Sequence, residues 1–189
     1  MTIPRLFHFS EDDSIEVFEP RPVGVPSRRA AGLEWLNGPL VWVIDDWHQP
    51  MYLFPRDCPR ILMWPKDDTT EQDIERYMGA STARMIAYVE RRWLRALETQ
   101  TLYRYELPAS QFTSLDDAGM WVASVAVKPL ARHRVDDLPA RLAGSGVELR
   151  VLDVLTSLRN AWRSSLHVSG IRLRNATSWE AAPLQGPMS

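Results

Sequence analysis

Short apolar runs, each cut off by proline or by an acidic turn, dominate the first third of the chain. Residues 5–9 (RLFHF) alternate as a short strand and end in the polar turn Ser10-Glu11-Asp12-Asp13. Ile15, Val17 and Phe18 form a second apolar patch that stops at Pro20, and 21–29 (RPVGVPSRR) reads as an exposed loop. The continuous run 40–44 (LVWVI), between Pro39 and Asp45, suits a buried strand. MYLF at 51–54 and ILMW at 61–64 read as further strands or strand ends. The period then changes. A helix is predicted from Thr69-Thr70, where Thr69 and Gln72 have capping-box spacing and Glu71 and Asp73 favour a first turn. After a break at Gly79, the positions Met85, Ile86, Val89, Trp93, Leu94 and Leu97 predict a helical stripe that buries Trp93 and Leu97. Arg91, Arg92 and Arg95 then fall on its wet side. LYRYEL at 102–107 and MWVASVAV at 120–127 are strands ended by Pro108 and Pro129. Residues 135–146 form a short helix closed by Gly144 or Gly146, 147–153 a strand, and 154–166 an amphipathic helix through Leu155, Leu158 and Trp162.

Strands placed before, between and after a few helices indicate an α+β fold. The expected architecture is a mostly antiparallel sheet, in one piece or split, with two to four helices. A length of 189 residues fits one domain, taken as 1–177 with a flexible tail at 178–189. Hydrophobic and charged fractions of 45% and 24% belong to a globular chain, and a net charge of −2 lacks the Lys/Arg excess that nucleic acid or acidic membrane would require. Neither partner is expected, and no apolar run approaches a leader or a span, so a cytoplasmic location is expected. A lone cysteine, Cys58, permits no internal disulfide and no cysteine metal site. Eight tryptophans and 14 prolines, nine of them in the first 65 residues, predict fixed loops around a tryptophan-rich surface.

No glycine-rich phosphate loop occurs, and the four histidines lack HExxH spacing, so no metal site is expected. His8, between Phe7 and Phe9 and ahead of a polar turn, would face away from a core that holds the two phenylalanines. A neutral imidazole there can donate to a hydroxyl or a carbonyl, or be an edge histidine satisfied by the turn. The segment 45–60 (DDWHQPMYLFPRDCPR) crowds Asp45, Trp47, His48, Tyr52, Arg56 and Arg60 between prolines. Aromatic planes stack on bases or sugars and arginine forks bind phosphate or carboxylate, although the same residues also fix a rigid loop. Cys58 has no base beside it and reads as an inert thiol.

The stretches LFHFSEDDSIEVFEPR, PLVWVIDDWHQPMYLFPRDCPRI and IRLRNA resemble a family of conserved hypothetical bacterial proteins without an assigned activity, over most of the chain up to about Ala176. A second resemblance is to the ADP-ribosyltransferase-like fold. It rests on a first strand with a histidine (His8 in LFHFS), an aromatic at Tyr52, the strand LYRYEL and the late strand GMWVASVAVKP. It implies a cleft for a nucleotide-like ligand, with NAD as the cofactor. Members with activity carry a glutamate near the start of the late strand, where this chain has Gly119, Met120 and Trp121; Glu106 and Glu148 are the substitutes at hand. The expected site is therefore a cleft near His8 and Tyr52, lined also by Trp47, His48 and Arg56. There a nucleotide-like or other small polar ligand binds without strong catalysis. The alternative is glycosyl transfer from NAD.

Overall fold

The structure, a computed structural model, describes residues 3–26 and 29–180. Along these residues run β1 (Leu6–Ser10), β2 (Val41–Asp45), β3 (Arg60–Trp64), α1 (Glu71–Tyr77), β4 (Met85–Glu90), α2 (Leu94–Thr99), β5 (Leu102–Leu107), β6 (Thr113–Ser114), β7 (Met120–Ala123), β8 (Ala131–Val135), α3 (Leu138–Gly144), β9 (Val147–Leu152) and β10 (His167–Ile171). Short 3-10 segments intervene, among them Gln49–Tyr52, Arg91–Trp93 and Leu155–Arg163. The chain divides into two compact units: residues up to Tyr52 with Thr101–Val135, and Leu53–Gln100 with the chain from Asp136 on. The fold is α+β, and every strand pair is antiparallel except β4 with β9.

The first unit is a six-stranded sheet in the order β6-β7-β2-β1-β5-β8. Leu6 lies opposite Asp45 and Leu107, and Phe7 opposite Ile44 and Glu106. Alternation then puts Leu6, His8, Val41, Val43, Tyr105 and Leu107 on one face. There Leu6, Val41, Val43, Tyr105, Leu107, Phe18, Phe112 and Val127 form a core. Phe18, from the predicted apolar patch, crosses this face as an isolated bridge to Val127. The strand expected over 120–127 ends at Ala123, because Ser124, Val125 and Ala126 turn out to solvent. β8 (ARHRV) has no apolar alternation to announce it. Its exposed Arg132, His133 and Arg134 are the charges that keep a sheet edge from pairing with other chains.

The second unit holds a four-stranded sheet, β10-β3-β4-β9. Its centre corrects the sequence reading. Met85–Glu90 is a strand, not part of a helix, and all six of its residues are buried. A strand covered on both faces shows no alternation, and Met85, Ile86 and Val89 mimic a helical stripe by chance of spacing. The helix that follows is only Leu94–Thr99; Leu97 is buried and Arg92 and Arg95 are exposed, but Trp93 is half-buried. MYLF is likewise not a strand, since Gln49–Tyr52 coils into a 3-10 turn.

The helix over α1 starts one residue later than its spacing implied. Thr70, not Thr69, is the cap and accepts from the Asp73 amide, while the Thr69 hydroxyl accepts from the Lys66 amide. Gly79, with φ of 63°, ends it as expected. Asp137 caps α3. The segment 155–163 is a 3-10 run rather than an α-helix, for a reason written in its sequence. LTSLRNAWR repeats every three residues, so Leu155, Leu158 and Ala161 stack in one column of a three-residue-per-turn helix. Leu155 and Ala161 are buried and Leu158 packs on the same core, whereas Trp162, the position a 3.6-residue period selects, is exposed. The tail expected at 178–189 lies outside the described residues from 181 on.

Candidate functional site

Asp45 is the last residue of β2, and its carboxylate turns back over the residues that follow. Its Oδ1 accepts from the His48 amide and from His48 Nδ1, both at 2.8 Å. The first bond caps the turn, a usual role for an aspartate after a strand. The second fixes the imidazole, because a carboxylate only accepts and so holds the proton on Nδ1. The other nitrogen of the neutral ring is then an acceptor, and a donor once the ring is protonated. Burial works against the ionised form of Asp45, but the His48 side-chain and backbone bonds and the His48 charge outweigh it. Its carboxyl sits below the usual aspartate range.

The third member of this corner comes from the β6–β7 hairpin. Gly119 has φ of 69°, and a Cβ built on it would lie 2.2 Å from His48 Nδ1 and 2.6 Å from Asp45 Oδ2. Its carbonyl accepts from the Asp45 amide at 2.9 Å. Only glycine fits, for its backbone angle and for its approach to the pair. Asp116 and Ala118 in the same hairpin also have positive φ, which costs about 1–2 kcal/mol for each non-glycine residue. Strain of this kind tends to collect around functional groups.

One aromatic flanks the corner, and a second meets the residue that follows Gly119 in the hairpin. Trp47 is 42% exposed and meets the His48 ring edge-on at 4.5 Å. Tyr52 donates its hydroxyl to the sulfur of Met120, the residue after Gly119, at 3.7 Å. Gln49 holds the turn between them, donating to the Asp46 carboxylate at 2.8 Å and accepting from Arg104 at 3.1 Å.

His8 and Tyr52 are placed on opposite faces of the first sheet, and Arg56 lies in the second unit. The His8 ring lies 4.7 Å from Phe18, and its Nδ1 donates to the Trp42 carbonyl at 2.9 Å, just where the β1–β2 ladder stops. It faces the Tyr105 side of the sheet. Tyr52 reaches Met120, which is paired with Ile44, itself paired with Phe7. Phe7 and His8 are neighbours on one strand, so His8 and Tyr52 address opposite faces and do not share one pocket. Phe9 also differs, being half-buried while Phe7 is fully buried. Arg56 belongs to the second unit, where it is exposed. The acid sought at the start of β7 is a thioether, and the two substitute glutamates are each clamped by an arginine. Arg5 binds Glu106 through two bonds of 3.0 and 2.8 Å, and Arg150 binds Glu148 at 2.7 Å. These bonds, ahead of all other influences, hold both carboxyls below the usual range.

A second polar cluster lies wholly within the other unit. Glu90, fully buried at the end of β4, accepts from Arg92 Nε at 2.7 Å, from the Thr177 amide at 2.7 Å and from the Thr177 hydroxyl at 3.1 Å. Arg92 also donates to the Asn175 carbonyl, and the Asn175 amide donates to the Asp57 carbonyl at 2.8 Å. Buried Arg60 donates to the Cys58 carbonyl at 3.0 Å. Burial pushes the Cys58 thiol up to about 12, against the pull of Arg60, so it is not a nucleophile at neutral pH. The segments PRDCPRI and IRLRNA thus meet in this cluster.

A family model described as a family of unknown function (DUF6886) matches residues 7–176. The chain belongs to this family. The DUF6886 match takes in the Asp45–His48 corner, Gly119, Glu90 and Arg92, and ends one residue before Thr177. No curated protein and no solved structure matches the chain. Asp45 and Gly119 were the residues that sequence reasoning left out of the site. Asp-x-x-His after a strand was a visible signal for the first; nothing local marks the second, whose role depends on the β2–β7 pairing. Among the described residues no group of three or more His, Cys, Asp or Glu side chains is placed to hold a metal ion, and no helix is long and apolar enough to cross a membrane.

Proposed function

We propose that the first unit binds a small polar, nucleotide-like ligand at the Asp45–His48–Gly119 corner, without strong catalysis. The observation that carries this reading is the pair of hydrogen bonds that Asp45 Oδ1 accepts from the His48 amide and ring, packed so closely under Gly119 that the ring orientation is fixed in advance. A pre-oriented imidazole loses little freedom when a ligand hydroxyl or phosphate meets it. Trp47 supplies an exposed aromatic plane next to it, and base–aromatic stacking contributes about 1–3 kcal/mol per base. His8 and Arg56 are not part of the proposed site.

The rival, glycosyl transfer from NAD, asks for a carboxylate where the ribose cation develops. A positioned charge of that kind is commonly the largest contribution to lowering such a barrier. Met120 supplies none, and Glu106 is engaged by Arg5. Calorimetry with AMP and NAD, beside an assay for nicotinamide release, separates the two readings. Binding is expected to weaken about tenfold or more in His48→Ala and in Trp47→Ala, in line with the loss of one hydrogen bond or one stacked ring. Affinity unchanged in both variants would refute the site. Steady nicotinamide release by the unaltered protein would make it an enzyme.

A further inference from the structure

Four aspartates bracket the Asp45–His48 corner. Asp45 and Asp46 come directly before Trp47, and Asp116 and Asp117 stand in the β6–β7 hairpin that delivers Gly119. The Asp117 carbonyl accepts from the Met120 amide at 2.9 Å and closes that hairpin. Asp117 is two residues from Gly119 and Asp116 three, so their Cα atoms lie within about 7 and 11 Å of it. The approach of Gly119 to His48 Nδ1 thus sets an acidic hairpin against an acidic turn. Asp46, Asp116 and Asp117 are exposed, and so is much of Trp47.

These carboxylates are hydrogen-bonded without being neutralised. Asp46 accepts from the Gln49 amide at 2.8 Å and Asp116 from the Ser114 hydroxyl at 2.8 Å, both uncharged donors. Among the described residues, no lysine or arginine forms an ion pair with any of the four. Two cations reach the neighbourhood. Arg5 feels the charge of Asp46, but its two side-chain hydrogen bonds go to Glu106. Arg104 meets the turn through Gln49. Two arginines against four aspartates and Glu106 give a formal charge of −3 (2 − 5), histidines left aside. A charge on His48 would still leave it negative.

Such a field sorts ligands by charge. Screening sets in over about 10 Å at 0.1 M salt, so the four carboxylates act on whatever meets Trp47 and His48. A phosphate there meets like charge from the turn and from the hairpin. A positively charged aromatic ring gains from the same carboxylates and from the face of a tryptophan. We infer that the ligand of this corner is a nucleoside without a phosphate, favoured further by a cationic base, and that Asp46, Asp116 and Asp117 set this selectivity. The inference rests on the corner being the ligand site, and narrows its ligand from nucleotide-like to phosphate-free.

The test is calorimetry on the full chain with two ligand pairs that differ by one phosphate. They are adenosine with AMP, and nicotinamide riboside, a fixed pyridinium cation, with nicotinamide mononucleotide. At about 0.01 M salt each nucleoside should bind about tenfold tighter than its monophosphate, and at about 0.15 M the ratio should shrink to about threefold. The triple variant Asp46→Asn, Asp116→Asn, Asp117→Asn keeps the side-chain shapes at exposed positions, and its circular dichroism should match the parent. In it AMP should bind about tenfold tighter than to the parent, adenosine within about twofold of the parent, and nicotinamide riboside about threefold more weakly. AMP as tight as adenosine at low salt, or ratios that ignore both salt and the triple substitution, would overturn the selectivity and leave the corner standing. An undiminished affinity for nicotinamide riboside in the triple variant would overturn the preference for a cation. No saturation by any of the four, or adenosine affinity unchanged in His48→Ala and Trp47→Ala, would overturn the corner itself and this inference with it.

Discussion

Asp45 and Glu90 occupy the same place in their two units, each the last residue of a strand and each followed within a few residues by a 3-10 turn. Each also accepts from a cation-capable side chain two or three residues on, His48 in one case and Arg92 in the other. There the likeness stops. The Asp45 and His48 side chains keep 26% and 19% of their surface, while Glu90 keeps none. Glu90 draws its remaining donors from Thr177, 87 residues away, and both its oxygens are filled. One local device therefore serves two ends. Where distant chain closes over the carboxylate, the result is a structural clamp; where a glycine closes over it, one side stays open to solvent.

The largest effect expected from this contrast is on stability. Glu90→Ala leaves the Thr177 amide facing a buried gap while the exposed Arg92 can turn to water; an unpaired buried donor costs about 1–3 kcal/mol, and the cavity adds to it. Asp45→Ala removes a capping bond at a half-open position and should cost about 1–2 kcal/mol. Urea unfolding followed by fluorescence measures both. Similar losses at the two positions would mean that burial does not separate them. Gly119→Ala comes next, at about 2–3 kcal/mol, because a left-handed angle and a methyl 2.2 Å from His48 Nδ1 act together. The same variant should lose the proposed ligand, whereas Gly144→Ala, with nothing near its Cβ, should unfold like the parent.

The sequence made the two units legible to different degrees. β1, β2 and β5 could be read because polar and apolar residues alternate along them or because proline bounds them. β4 could not, since all six of its residues are buried and no polar face is left to alternate with an apolar one. The 155–163 run carried its answer in a period of three, which a search at 3.6 residues misreads by choosing Trp162 over Ala161. At the candidate site, Trp47 and His48 stood close in sequence and stay together at the corner. Whether His8 and Tyr52 share a face could not be read locally: two segments can both be polar and aromatic, yet only strand register decides which face each addresses. Register is a property of pairing between distant segments, as is the approach of Gly119.

Alkaline titration sharpens the comparison from the second unit's side. Cys58 is pushed up to about 12 by burial, so between its ordinary value of 9.0 and that figure the unfolded thiol is ionised and the folded one is not. The folded state then holds more protons, and stability falls with rising pH by at most about 1.4 kcal/mol per pH unit from this group. Cys58→Ala should flatten the slope between pH 9 and 10, compared by urea midpoints. Native Cys58 should also resist a thiol reagent at pH 8 until the chain is unfolded, and rapid native labelling would contradict its burial.

The smallest effect expected is on the acid side and belongs to Asp45. Its folded carboxyl lies below the ordinary range because the bonds from His48 outweigh burial. A group lowered in this way adds stability that is present above its unfolded pKa and lost as pH falls through its folded pKa. The window therefore opens at the ordinary aspartate range and extends below it. Since the side chain is a quarter exposed and its turn is wetted, solvent screening keeps the contribution at about 1 kcal/mol or less. Asp45→Asn keeps an acceptor for the His48 amide but removes the charge, so it should flatten the acid limb of the urea midpoint while leaving the curve above pH 6 nearly parallel to the parent. It should also release the tautomer of His48, because an amide can present a donor to Nδ1 where a carboxylate cannot. Nitrogen chemical shifts of the His48 ring at pH 8 report that change directly. A ring that keeps its proton on Nδ1 in Asp45→Asn would show that Gly119 and the turn, rather than the carboxylate, set its orientation. The ligand-facing role proposed for the pair would then rest on shape alone.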